Sequence, residues 1–369
     1  MNFTFTPEQR ELADAVKAVL TAEVTPDRIR SRWETSDGQD PGALAALAEL
    51  GLPGMLVPEA LGGLGLGPVD FVLMAQACGE VALPEPLVEQ VLVVAPLLVD
   101  LLEHGLGTAA VQEVLTALLD GSRQAAVGHP INPMINFAEQ VDWLLLGDGE
   151  RVHLLPAADA TILPSASVDP SRRIASVTFD PGGGSCVASA ELGASIWRTA
   201  LNRGALASAA QLLGIAEAMV AQTIRYTADR QQFGRAIGAN QAVKHLLADV
   251  AVQIEYAKPA VYRAAYTVQA SPLRSDFAVS HAKVSAARAA MLATRHCIQA
   301  HGAMGYTWEC DLQIWVKRAW ALTREWGDEG FHKNRIHEWL LKPNALLGPE
   351  YTFGRRSILE QASMVGETQ

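Results

Sequence analysis

The chain's most unusual chemistry is Arg230-Gln231-Gln232-Phe233-Gly234, set inside YTADRQQFGRAIGANQAVKHLLAD (226–249), in a region otherwise apolar and helical in period. A guanidinium offers a rigid fork of donors that matches the oxygens of a phosphate or carboxylate. The Gln232 amide adds a hydrogen-bonding group, and Gly234 allows close backbone approach. Gln241 stands on the far side of the Phe-Gly break. One reading is a grip for an anionic ligand. The other is a solvated helix end, where the helix dipole favours an arginine in any case. Spacing alone leaves both open.

Other candidate chemistry is sparse. The glycines of VPEALGGLGLGPVDFVLMAQACGEV (57–81) follow no strand and lack the lysine and hydroxyl of a phosphate-binding loop, so a flexible loop leading into a helix from Pro68 is expected. Cys78, Cys186, Cys297 and Cys310 are scattered without CxxC or Cys/His spacing; no metal site is expected, and dispersed thiols fit a reducing cytoplasm. The net charge of −11, with no basic stretch to offset it, argues against nucleic acid as a partner. The N-terminus has no signal-peptide pattern. LVEQVLVVAPLLVDLL (87–102), interrupted by Glu89, Gln90 and Pro96, is too short to span a bilayer and reads as a buried core helix.

The elements that must position these groups fall into three blocks, in a mostly α chain of 369 residues. Residues 1–120 form an N-terminal α-helical domain, opening on the helix start Thr6-Pro7-Glu8-Gln9 and including ALAALAELGLPG (43–54), which closes at Gly51 and Pro53. Residues 121–194 form a small β domain: VDWLLLGDGERVHLLPA (141–157) is two short strands around an Asp-Gly-Glu turn, and RIASVTFDPGGGSCVA (173–188) is a strand followed by a glycine turn. Residues 195–369 return to helical period, with long segments near 199–229, 238–270, 274–302 and 311–341, which implies an antiparallel four-helix bundle.

This layout and several motifs resemble the acyl-CoA dehydrogenase family of flavoproteins. The N-terminal likeness runs through PEQRELADAV, LAELGLPGMLVPEALGGLGLGPVD and LPEPLVEQVL; the more specific C-terminal likeness is YTADRQQFGRAIGANQAVKHLLADV together with IQAHGAMGYTWECDLQIWVKRAWAL (298–322). The resemblance implies FAD lying across a subunit interface, with one subunit's β domain holding the flavin ring and the neighbour's bundle holding the pyrophosphate and adenine. It implies removal of a proton from Cα of an acyl-CoA thioester by a glutamate and of a hydride from Cβ by the flavin. On this basis Arg230, Gln232, Phe233 and Gln241 match a clamp on the pyrophosphate end. Gln299 and Gly302 border the adenosine, with Ala303 where the family usually has a second glycine. His301 beside them reads as a structural histidine.

Three departures qualify the resemblance. The segment that cradles the flavin ring is shortened by roughly thirty residues on the count of the resemblance; His129-Pro130 stands about where a glutamate-proline belongs. The base position of one branch of the family falls on Trp326, with Glu325 beside it, and that of the other branch falls on Gly204. Asp328 replaces a loop threonine that touches the flavin. Features serving a subunit's own flavin are missing, while those reaching a neighbour's are kept. The leading expectation is therefore a non-catalytic subunit of a heteromeric (α2β2) acyl-CoA dehydrogenase of the steroid side-chain type. Its partners would be a catalytic subunit, an acyl-CoA substrate and an electron-transfer flavoprotein. The alternatives are an autonomous enzyme with Glu325 as a displaced base, and a redox-dead scaffold or thioester-binding protein.

Overall fold

A computed structural model describes residues 4–345, apart from 36–37, 107–108, 271 and 344, together with residue 348. The remainder of the tail that the sequence assigns to the C-terminal domain lies outside the described residues. The first helix, α1 (Pro7–Glu23), starts as its residues demand: Thr6 accepts from the Gln9 backbone N–H, while the Gln9 side chain accepts from the Thr6 N–H. Thr25 and Asp40 cap α2 (Pro26–Trp33) and α3 (Pro41–Glu49) by accepting backbone N–H groups of the first turn. Gly51, at φ +75°, turns the chain out of α3. The glycine run before α4 (Pro68–Glu80) is a compact turn rather than a flexible loop. Its backbone is tied by Leu64 N–H to the Gly54 carbonyl, Gly65 N–H to Val57 and Leu66 N–H to Met55.

The apolar segment after α4 is buried helix, as its composition requires: α5 (Leu87–Glu89), a π turn (Gln90–Val94) and α6 (Ala95–Glu103) run on without a break. The π turn ends just before Pro96, which has no N–H with which to keep the ladder in α register. Helix α7 (Ala109–Leu119) closes this block.

The middle region is two small sheets. The first has the order β1 (Ala125–Gly128), β3 (Trp143–Asp148), β4 (Arg151–Pro156), β7 (Cys186–Ala188); the second has β2 (Ile135–Asn136), β6 (Ile174–Thr178), β5 (Thr161–Ser165). The β3–β4 hairpin turns at Gly149, at φ +59°, and among the described residues only β1–β3 is a parallel pair. Strand alternation divides the residues between two cores. Ala126, Leu144, Leu146 and Leu155 pack with Ile135 and Ala175 between the sheets, while Val127, Leu145, Val152 and Leu154 join the main helical core.

The rest is helical. Helix α8 (Ala190–Asp229) spans 40 residues, about 60 Å at 1.5 Å per residue. It begins nine residues before the periodicity at 199 becomes visible. A two-residue hairpin, β8 (Gln231–Gln232) and β9 (Arg235–Ala236), leads through a short turn to α9 (Gln241–Ala270); α10 (Pro272–His301) returns antiparallel. Gly214 lets α8 press on α4, since a Cβ there would sit 1.9 Å from the Gln76 carbonyl oxygen. The fourth bundle segment, expected as one helix over 311–341, is instead two, α11 (Leu312–Leu322) and α12 (Glu329–Leu340). Trp326 at φ +55° and Gly327 at φ +92° are left-handed, which ends α11's continuation, and Asp328 then caps α12 through the Phe331 N–H. Among the described residues, α8 alone is long and apolar enough to cross a membrane, and 72% of its most apolar window is buried within the fold.

Candidate functional site

The residues singled out by type divide into two places. The first is at the far end of the bundle, where α8 and α10 finish side by side. The Tyr226 ring stacks on His301 with centroids 4.2 Å apart, and its hydroxyl donates to the His301 carbonyl. That contact joins the hairpin carrying Arg230, Gln232 and Phe233 to the 3-10 turn carrying Gly302 and Ala303. His301 is buried and donates from Nδ1 to the Cys297 carbonyl, a structural role. Helix α8 stops at Asp229, and Gly234 makes the hairpin turn with Phe233: their φ values are +75° and +54°. Arg230, Gln232, Phe233, Gly234, Gln241, Gln299, Gly302 and Ala303 are all exposed. Phe233 is 98% exposed in a backbone region that costs a bulky residue energy, so nothing internal to the chain accounts for it. A Cβ on Gly302 would meet nothing within 4 Å. The exposed donors and the open space have the chemistry to hold an extended anionic group.

The second place is the cleft between the middle sheets and the bundle. Here Gly204 and Trp326, 122 positions apart in the chain, interlock: a Cβ on Gly204 would lie 2.0 Å from the Trp326 ring. Trp326 is 2% exposed. His129 lies against it, ring centroids 5.4 Å apart, and against Trp197 at 5.2 Å. Burial pushes the His129 pKa down to about 4; its neutral ring donates from Nε2 to the Trp197 carbonyl and accepts the Ile131 N–H at Nδ1.

The turn bearing Trp326 is held from several sides. The Lys283 ammonium donates to the carbonyls of Leu322 (2.7 Å) and Glu325 (2.6 Å), and burial lowers its pKa to about 7. His332 donates from Nε2 to the Trp326 carbonyl at 2.8 Å and accepts from Ser280 at Nδ1; burial, then the neighbouring Lys283, pushes its pKa down to about 3. The Trp326 N–H donates to Asn132 Oδ1. The Glu325 carboxylate is committed to an ion pair with Arg172 and accepts from the Asn136 amide. It is not a free base. Arg318 nearby is buried against Asp169 and donates from Nη1 to the Ala82 and Leu83 carbonyls, while its Nη2 has no partner. What space remains is a cavity of about 40 Å³ among Glu85, Glu89, Asn136, Arg172, Arg318 and Glu325, far below the roughly 300–1,000 Å³ of ligand pockets. On the other side of the 323–330 segment lies a hollow of about 560 Å³, with Arg288, Arg324, Asp328 and Glu329 on its rim.

Sequence reasoning had no hold on Arg172, Asn136, Lys283 or His332. Only Lys283 leaves a trace, a charge amid the alanine-rich face of α10 that proves 1% exposed.

This combination of helical domain, small β region and bundle has counterparts. Residues 6–120 match the acyl-CoA dehydrogenase N-terminal domain and residues 192–341 the C-terminal domain. The chain belongs to the acyl-CoA dehydrogenase family, FAD-using oxidoreductases. It is 31% identical to the acyl-CoA dehydrogenase IpdE2 of Mycolicibacterium smegmatis over 314 residues, 85% of this chain and 92% of that protein. It is 27% identical to the acyl-CoA dehydrogenase FadE27 of Mycobacterium tuberculosis, over 83% and 89% of the two chains. In fold it is similar to butyryl-CoA dehydrogenase from Megasphaera elsdenii (TM-score 0.79, 22% identity, 93% of this chain and 100% of that one). It is equally similar to a chain of the ChsE4-ChsE5 complex from Mycobacterium tuberculosis (TM-score 0.79, 22% identity, 92% and 99%).

Proposed function

We propose that this chain is a subunit of a hetero-oligomeric acyl-CoA dehydrogenase, lending the FAD pyrophosphate and adenosine half-site to a catalytic partner that desaturates an acyl-CoA thioester between Cα and Cβ. The observation that carries this reading is the contrast between the two places. Both positions that the family uses for its base are taken by an interlocked glycine and tryptophan. The clamp residues stand exposed at the end of the bundle.

When bound, FAD supplies the acceptor for the hydride from Cβ. This chain's own contribution is positioning. Arg230 neutralises pyrophosphate charge with paired donors, Gln232, Gln241 and Gln299 hydrogen-bond, Gly302 and Ala303 leave room for the adenosine, and Phe233 covers an apolar face. The proton at Cα is taken by a carboxylate of the partner. Glu325 as a displaced base has no support in the geometry, because its carboxylate already serves Arg172. A heteromeric assembly is in keeping with the ChsE4-ChsE5 complex and the Tcur3481-Tcur3483 steroid acyl-CoA dehydrogenase among the structural neighbours, and the latter points to a steroid-derived acyl group. An α2β2 assembly, an electron-transfer flavoprotein as acceptor and a cytoplasmic setting complete the proposal. The four free thiols suit that setting.

The test is the visible spectrum of the chain purified alone beside that of a co-expressed complex. The chain alone should be colourless, and the complex yellow and active. One flavin per subunit with turnover in the isolated chain would sink the proposal. If Arg230→Ala left the flavin of the complex in place, a scaffold without a cofactor role would be the better reading.

A further inference from the structure

The cavity between the middle sheets and the bundle contains more acid than its bases can serve. Arg172 is paired with Glu325, and Arg318 with Asp169. The Lys283 ammonium spends its hydrogen bonds on backbone carbonyls. Two carboxyl groups on the cavity wall are left over, Glu85 and Glu89, and among the described residues neither makes an ion pair. Glu85 is 5% exposed; it accepts the Asp40 N–H at Oε1, and its Oε2 is buried without a partner. Glu89 is half-buried at the junction of α5 and the π turn, and its side chain lines the cavity. An unpaired carboxylate in such a place costs several kcal/mol of desolvation unless it takes up a proton.

We propose that Glu89 binds one proton at neutral pH, as a carboxylic acid facing a small hydrated cavity whose unpaired donors and acceptors are met by ordered water. Four buried polar atoms on the wall await partners: Arg172 Nε and Arg318 Nη2 as donors, Glu85 Oε2 and Asn136 Oδ1 as acceptors. Two donors and two acceptors match the capacity of water. Charge excludes an anion: with Glu89 neutral and the two ion pairs closed, Glu85 is the remaining acid on the wall, and an anionic guest would face it without a free cation. The remaining wall groups, Ser208 and Gln211 from α8, are uncharged. Burial supports the assignment by raising the Glu89 pKa to about 7, against the opposing pull of Arg172 and Asn136.

The proton has a stability signature. Glu89 ionises in the unfolded chain near 4.5 and in the fold near 7, so the fold binds the proton more tightly, and this stabilisation is lost as pH rises through that interval. Infrared spectroscopy of the full chain tests the proposal. At pH 6 a carboxylic-acid C=O band should be present, should titrate away as pH passes about 7, and should be missing in Glu89→Gln. The melting temperature of Glu89→Gln should match the wild type at pH 4, below both pKa values, and exceed it at pH 8. Absence of the band from the wild type at pH 6 would overturn the proposal without any variant. So would its survival in Glu89→Gln with loss in Glu85→Gln, or an equal drop in melting temperature of Glu89→Gln at both pH values. None of these outcomes depends on whether the chain is a catalytic or a lending subunit.

Discussion

The two ends of this molecule treat polar groups in opposite ways. At the end of the bundle, Arg230, Gln241 and Gln299 are exposed, and a phenylalanine stands in solvent on a left-handed turn. In the cleft, Arg172, Arg318 and Lys283 are all engaged, and an indole fills the niche over a glycine. The lesson concerns where stability and binding reside. Surface groups can be changed with little cost to the fold and large cost to whatever they hold. Cleft groups are the reverse.

Substitutions can break this contrast. The largest effect is expected from Arg172→Ala, which leaves the half-buried Glu325 without its cation; chemical denaturation should show a loss of up to about 3–5 kcal/mol. Trp326→Ala should cost a similar ~3–5 kcal/mol through lost packing, and Gly204→Ala about 1–3 kcal/mol through overpacking. Those two are expected to be non-additive. The double variant should be more stable than the sum of the singles implies, because Trp326→Ala vacates the space a Cβ at 204 needs. Additive losses would mean the niche relaxes independently of the indole.

Acidification sharpens the same contrast. His129 and His332, at about 4 and about 3 in the fold against an ordinary 6.5, must stay neutral to remain in place. Their folded pKa values are depressed, so their stability contribution is present above 6.5 and lost as pH falls toward 4, by about 2 kcal/mol each on reaching pH 5. Glu89 works in the opposite direction over much of this range. The histidine loss should therefore be clearest by denaturation in the Glu89→Gln background.

At the other end, Arg230→Ala should leave the melting temperature unchanged while weakening flavin retention by the complex about 10- to 100-fold, the worth of a charge-assisted hydrogen bond. The smallest effect is expected from Phe233→Ala: no measurable change in stability, since the side chain touches nothing internal, and a few-fold change in flavin retention by fluorescence release. If Phe233→Ala destabilised the chain itself, the division between the two ends would fail.

Much of the scaffold was legible because its signals are local. Thr6-Pro7 and Gly51 mark helix ends through their own backbone chemistry, and the strands of 141–157 are apolar runs on either side of a turn glycine. The family motifs are likewise contiguous runs of residues. The cleft was not legible, since Gly204 meets Trp326 across 122 positions and Arg172 meets Glu325 across 153. No spacing rule reports such pairs. The break at 323–328 was missed because Ala319, Leu322 and Trp326 keep helical spacing through it, while the left-handed conformation is imposed by Lys283, His332 and Asn132 from elsewhere. The early start of α8 was hidden by Gly193, which a helix tolerates and here needs, because a Cβ would sit 2.0 Å from the Glu150 carbonyl oxygen.

Helix α8 makes the two ends parts of one gauge. It leaves the middle sheets at Ala190, passes Gly204 under the indole, and delivers Arg230 at its last turn without interruption. The bearing of the clamp relative to the cleft is thus set by residue count. One residue inserted between Gly204 and Asp229 would swing everything beyond it by about 100° and advance it about 1.5 Å. Seven residues would nearly restore the bearing, within about 20°, but carry the clamp roughly 10 Å outward. The length of this helix is therefore as much a part of the specification as any side chain it carries.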